Sequence, residues 1–103
     1  MPKSVIIHDH QLIDNTSINP EIVSDTEIVE FVNCRSLTGL PVQSIPAGVK
    51  QVILRNCAQL KVIDQLPAEA QVLRVINCRN LQVTPDYWPL TIKEINISGS
   101  SQL

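Results

Sequence analysis

The chain repeats one arrangement of apolar and polar positions four times, with a weaker fifth copy at its start. A central copy reads Val49-x-x-Val52-x-Leu54-x-x-Cys57-x-x-Leu60, and the next reads Ala70-x-x-Leu73-x-Val75-x-x-Cys78-x-x-Leu81. Before them stands Thr26-x-x-Val29-x-Phe31-x-x-Cys34-x-x-Leu37, and after them Ile92-x-x-Ile95-x-Ile97-x-x-Ser100-x-x-Leu103. The degenerate first copy is Pro2-x-x-Val5-x-Ile7-x-x-His10-x-x-Ile13. Apolar residues two apart, such as Val52 and Leu54, have the period of a strand that buries one face. The pattern therefore predicts strands near residues 4–8, 28–32, 51–55, 72–76 and 94–98. The return paths between them are similar in length, so successive strands run the same way and stack about 4.8 Å apart in one parallel sheet.

The slot held by cysteine in the middle copies falls at residues 10, 34, 57, 78 and 100, giving periods of 24, 23, 21 and 22. Motif and period together resemble the leucine-rich repeat, L-x-x-L-x-L-x-x-N/C-x-L. The resemblance implies an α/β leucine-rich-repeat solenoid that is mostly β and winds as a right-handed superhelix. In such a fold five short parallel strands form the concave face, irregular or 3-10 segments form the convex side, and each coil touches only its neighbours. It further implies a single domain over residues 1–103, in coils of about 2–25, 26–48, 49–69, 70–91 and 92–103. The phrase Leu66-Pro67-Ala68-x-x-x-x-Leu73 looks like the L-P-x repeats of bacterial effector proteins. The Cys-x-x-Leu ending looks like cysteine-type repeats, including those of plant resistance proteins. The chain matches neither subclass throughout.

A second ladder supports the register. Ile45-Pro46, Leu66-Pro67 and Trp88-Pro89 each have their proline 11 residues before the next slot, whereas slot to proline takes 12, 10 and 11 residues. Length variation is thus confined to one side of the coil, where irregularity leaves the sheet undisturbed. Proline fixes φ and lacks a donor, so these segments are extended or turn-like. Residues 14–25, rich in turn formers, read as the convex return of the first coil.

Composition narrows the picture. With 103 residues there is one domain at most, and with 44% hydrophobic but only 3% aromatic residues its core is Val, Ile and Leu. A net charge of −2 gives no electrostatic footprint for nucleic acid or an anionic membrane. No run approaches the roughly 18 apolar residues of a membrane helix. The odd count of 3 cysteines fits a reducing compartment. The N-terminal residues show no secretory signal. The expected location is cytoplasmic, or a host cell reached without a cleaved signal peptide.

Candidate chemistry is sparse. His10, Cys34, Cys57, Cys78 and Ser100 share the slot and read as a structural ladder, each side chain bonding neighbouring backbone at a turn. Zinc needs convergent ligands, but neighbours in a ladder lie about a strand spacing apart, so three cannot meet on one ion. A nucleophilic thiol needs a base and exposure, and neither is indicated. His8 points outward and His10 inward, which separates them as ligands. Asn33, Asn56 and Asn77 align with Asp9 and Gly99 in a turn role, with a polar rim to the binding face as the alternative. Trp88 falls in the column of Ile45 and Leu66 and belongs to the convex core, while Tyr87 is exposed. No phosphate-cradling, serine-elbow or zincin motif occurs, so no catalytic residue, metal or cofactor is expected.

The remaining strand positions face outward. They form the columns Ser4, Ile28, Gln51, Val72, Glu94; Ile6, Glu30, Ile53, Arg74, Asn96; and His8, Val32, Arg55, Ile76, Ser98. An idle solvated sheet face is mostly polar. This one carries Ile6, Ile28, Val32, Ile53, Val72 and Ile76 among Glu30, Arg55, Arg74 and Glu94, the composition of an interaction surface. The alternative is β-branched residues placed for strand propensity alone. The leading expectation is a non-catalytic module that binds another protein through Ile6, His8, Ile28, Glu30, Val32, Ile53, Arg55, Val72, Arg74, Ile76, Glu94 and Asn96, as a bacterial adaptor or effector. The second is a self-associating structural protein that dimerises through an edge strand or this face.

Overall fold

A computed structural model of the chain describes residues 3–9, 12–14, 17–18, 25–40, 45–46, 48–63, 65–85 and 88–99. Five strands form one parallel sheet in the order β1 (Ser4–Ile7), β4 (Ile28–Val32), β5 (Gln51–Arg55), β6 (Val72–Ile76) and β7 (Glu94–Ser98). All neighbours pair in parallel, so each strand is followed by a return path behind the sheet and the chain climbs as a solenoid-like stack. Two short strands, β2 (Leu12–Asp14) and β3 (Ser17–Ile18), make a separate antiparallel pair. This pair was not foreseen in the return of the first coil. Two of the turn formers of that stretch, Asp14 and Ser17, pair with each other at its end. The slot residues His10 and Ser100, along with Tyr87 and Leu103, lie outside the described residues.

The period-two pattern produces the burial. Strands β4 and β5 alternate half-exposed and buried positions, with Val29, Phe31, Val52 and Leu54 fully inaccessible. Leu73 and Val75 of β6 and Ile7 of β1 continue the same wall. Against it pack the slot cysteines, Leu37, Leu60 and Leu81, and the convex column of Ile45, Leu66 and partly buried Trp88. The core is therefore a stack of near-identical cross-sections.

Three turn chemistries repeat up the stack. Asn33, Asn56 and Asn77 hold φ of 53°, 57° and 56°, and Gly99 follows at 73°. This is the left-handed region that asparagine tolerates better than other side chains, and it bends the chain off each strand. Asp9 does not adopt it, and β1 ends at Ile7, one residue short of the expected limit. The next turn closes when Leu37, Leu60 and Leu81 N–H donate to the carbonyls of Cys34, Cys57 and Cys78 at 3.1–3.2 Å. The third closes when Val49, Ala70 and Ile92 N–H donate to the carbonyls of Pro46, Pro67 and Pro89 at 3.0–3.2 Å. That closed turn feeds straight into the next strand, which is why the distance from proline to slot does not vary.

Of the two expected forms of the convex side, the described residues show the irregular one. Among them only Asp9 has 3-10 conformation, and no helix is long and apolar enough to cross a membrane. Almost no helix occurs among the described residues, and the fold is mostly β, as expected. Gly39, Val62 and Val83, each five residues after a slot, form parallel bridges with one another. Lys61 and Gln82 N–H donate across these steps to Thr38 and Lys61 at 2.9 and 2.8 Å. Bridge to proline then takes seven, five or six residues, and the variable length lies there.

Candidate functional site

Pairing register fixes the face that looks away from the core. Ser4, Ile28, Gln51, Val72 and Glu94 pair in one line across the five strands. Ile6, Glu30, Ile53, Arg74 and Asn96 pair in the next. Val32, Arg55, Ile76 and Ser98 form the third, with His8 exposed just beyond the end of β1. Ile6 is 54% accessible. Ile28, Val32, Ile53, Val72 and Ile76 are half-buried. Arg55, Arg74, Glu94 and Asn96 are exposed, and Glu30 is half-exposed.

Electrostatics on this face are partly internal. Arg74 Nε donates to Glu94 Oε2 at 2.9 Å, one strand over and one line below. Both side chains are nearly half accessible, so the pair orients the guanidinium more than it stabilises the fold. At the lower rim Lys50 Nζ stands 3.9 Å from Glu27 Oε1. Sequence columns could not reveal the Arg74–Glu94 pair, because it joins different lines of different repeats and depends on their register.

The cysteine slot forms a ladder. Cys34 Sγ donates to the Ile7 carbonyl at 3.3 Å, Cys57 Sγ to Phe31 at 3.8 Å and Cys78 Sγ to Leu54 at 3.7 Å. Each sulfur thereby satisfies a buried carbonyl of the coil below, a second bond that the sheet ladder leaves open. All three thiols are free and fully buried. The Cys34 thiol beside it, reinforced by burial, pushes Cys57 up to about 11. Contact with Cys57 and burial push Cys78 up as well. Cys34 moves the other way, lowered by the Cys57 thiol against the opposing effect of burial. A metal or substrate would have to reach sulfurs with no accessible surface that lie in one row. Among the described residues no three His, Cys, Asp or Glu side chains converge as a metal site.

The first coil departs from the pattern usefully. Asp9, in the asparagine column, accepts the Ser36 N–H on Oδ1 at 2.8 Å and the Ser36 hydroxyl on Oδ2 at 3.4 Å. Its carboxylate thus caps the turn of the coil above. Two coils on, Asn80 Nδ2 donates to the Ala58 carbonyl at 2.7 Å. Above His8 and Asp9, an open depression bordered by Val32, Asn33 and Arg35 marks this corner of the face.

The C-terminal end of the stack differs from its middle. Ile95 occupies the column in which Val29, Val52 and Leu73 are fully buried, yet it is 45% accessible, and Leu90 in the preceding turn is wholly exposed. Among the described residues no strand follows β7, so the repeat's inward positions open there.

Compared with protein-family models, with curated proteins and with solved structures, the chain has no match.

Proposed function

We propose that this chain is a non-catalytic interaction module of leucine-rich-repeat type that docks a partner protein on the outer face of its five-stranded sheet. One observation carries the reading: Ile6, Ile28, Val32, Ile53, Val72 and Ile76 interleave with Glu30, Arg55, Arg74 and Glu94 on the sheet face that looks away from the core. Apolar fields rimmed by charge on a protein surface are characteristic of contact sites. A purely parallel sheet is also ordinarily covered on both faces.

The leucine-rich-repeat assignment and its right-handed winding belong to the same proposal. They are supported by the period, the left-handed asparagines and the slot cysteines. A cytoplasmic setting suits three free buried thiols. The L-P-x phrase favours a bacterial adaptor, or an effector delivered to a host, by analogy of repeat type alone. The test is affinity capture from host or native lysate, comparing the natural chain with an Ile53→Glu, Arg74→Glu, Ile76→Lys variant whose circular dichroism is unchanged. A protein held by the first and lost by the second supports the reading, and equal recovery overturns it. Self-association is the second reading, favoured by how the charges are distributed about β5.

A further inference from the structure

We infer that the outer face takes a second copy of this chain, docked sheet against sheet about a two-fold axis that runs along β5 over Ile53. The inference rests on the interaction-face reading above and names its partner.

The outward residues flanking β5 carry the symmetry. On β4 they are Ile28, Glu30 and Val32, and on β6 they are Val72, Arg74 and Ile76, in paired register through Gln51, Ile53 and Arg55. Both sides read apolar, charged, apolar, and the sign of the charge reverses. An axis along β5 exchanges β4 with β6 between the copies. Ile28 then faces Val72, Glu30 faces Arg74, Val32 faces Ile76, and Ile53 meets its own equivalent. Each ion pair forms twice, because a two-fold contact is self-complementary. A two-fold running across the strands through the same line sets Glu30 on Glu30 and Arg74 on Arg74, and like charges disfavour that register. Arg74 is already held by Glu94 through Nε, which leaves its terminal nitrogens for Glu30 of the second copy.

One contact opposes the arrangement. Arg55 meets its own equivalent at the end of the axis, and this repulsion weakens the dimer. At the flanks Ser4 faces Glu94 and Ile6 faces Asn96, which is neutral. Five strands about 4.8 Å apart and five residues long present on the order of 400 Å² per copy. Roughly 800 Å² in total lies at the small end for protein contacts, so a weak dimer in the micromolar range is expected, not an obligate one.

The test is charge reversal read by sedimentation velocity from low to several hundred micromolar. The natural chain should dimerise. Glu30→Arg and Arg74→Glu should each weaken the dimer at least about tenfold, since each sets like charges opposite at both sites. An equimolar mixture of the two variants should restore it. In the mixed dimer the arginine introduced at position 30 of one chain faces the glutamate introduced at position 74 of the other, and the unaltered Arg74 and Glu30 still face each other. A natural chain that stays monomeric overturns the inference, while the capture experiment above judges the interaction face separately. A dimer indifferent to both reversals, or a mixture that stays monomeric, also overturns it and moves the contact elsewhere. If a reversal unfolds the chain, Glu30→Gln and Arg74→Gln replace the pair. Additive effects of those two in the double variant overturn the inference, and coupled effects support it.

Discussion

At Asn33, Asn56 and Asn77 the backbone leaves each strand through the left-handed region, where a Cβ crowds the chain and only a few residues sit without strain. Replacing Asn56 with alanine should therefore cost about 1 kcal/mol in urea unfolding, whereas glycine at the same position should change stability by less than about 0.5 kcal/mol. A larger loss with glycine would mean that the asparagine side chain, not its backbone, is what matters. The cysteines make a different case. Their sulfurs should resist labelling by a thiol reagent in the folded chain and react once it is unfolded. Cys57 gives up its proton only near 11 when folded, against an ordinary 9.0, so the unfolded chain ionises first. Stability present below pH 9 should thus be lost as pH climbs through that interval. Cys57→Val should flatten the descent of melting temperature. Both columns were legible because each recurs at a fixed offset from the strand. Asp9 was not, because its capping of Ser36 depends on how two coils meet.

Among the elements, position in the stack decides what one motif residue contributes. Leu73 and Ile95 are equivalent by sequence, but Leu73 is sealed between coils and Ile95 is not. Leu73→Ala should cost about 3 kcal/mol and Ile95→Ala well under half of that in the same denaturant titration. Equal losses would show that something covers β7. A carboxylate at Val52 leaves an unpaired charge in the sealed wall, so Val52→Asp should unfold the chain at room temperature, visible as loss of strand circular dichroism. Strand positions and register could be read from apolar spacing because each buried pair must return to the same wall. The antiparallel pair of β2 and β3 and the bridges through Gly39, Val62 and Val83 could not. The first is a single event without a repeat. The second is held by backbone hydrogen bonds that leave little trace in side-chain type.

For the whole molecule, each coil rests only on the coils beside it, so stability is a sum of local terms and interfaces. Amides of β5 and β6 should exchange slowest with deuterium and those of β7 among the fastest, with β1 between, since its Ile7 is sealed. Uniform protection would point to a single cooperative block instead. The outward columns were readable from the chain, but their meaning as a surface needed the strands side by side. The identical turns have one more consequence. Residues 49–69 span one period of 21, and their removal would join Gly48 to Ala70 through the same kind of proline turn that already precedes β5, β6 and β7. Such an excision, or its reverse by duplication, is a change that heredity can make in one step without inventing a new joint. It would also seat Glu30 next to Arg74 on adjacent strands of one sheet, turning charges that now complement across the removed strand into an internal pair. A sociable chain and a solitary one would then differ by a single turn of the coil.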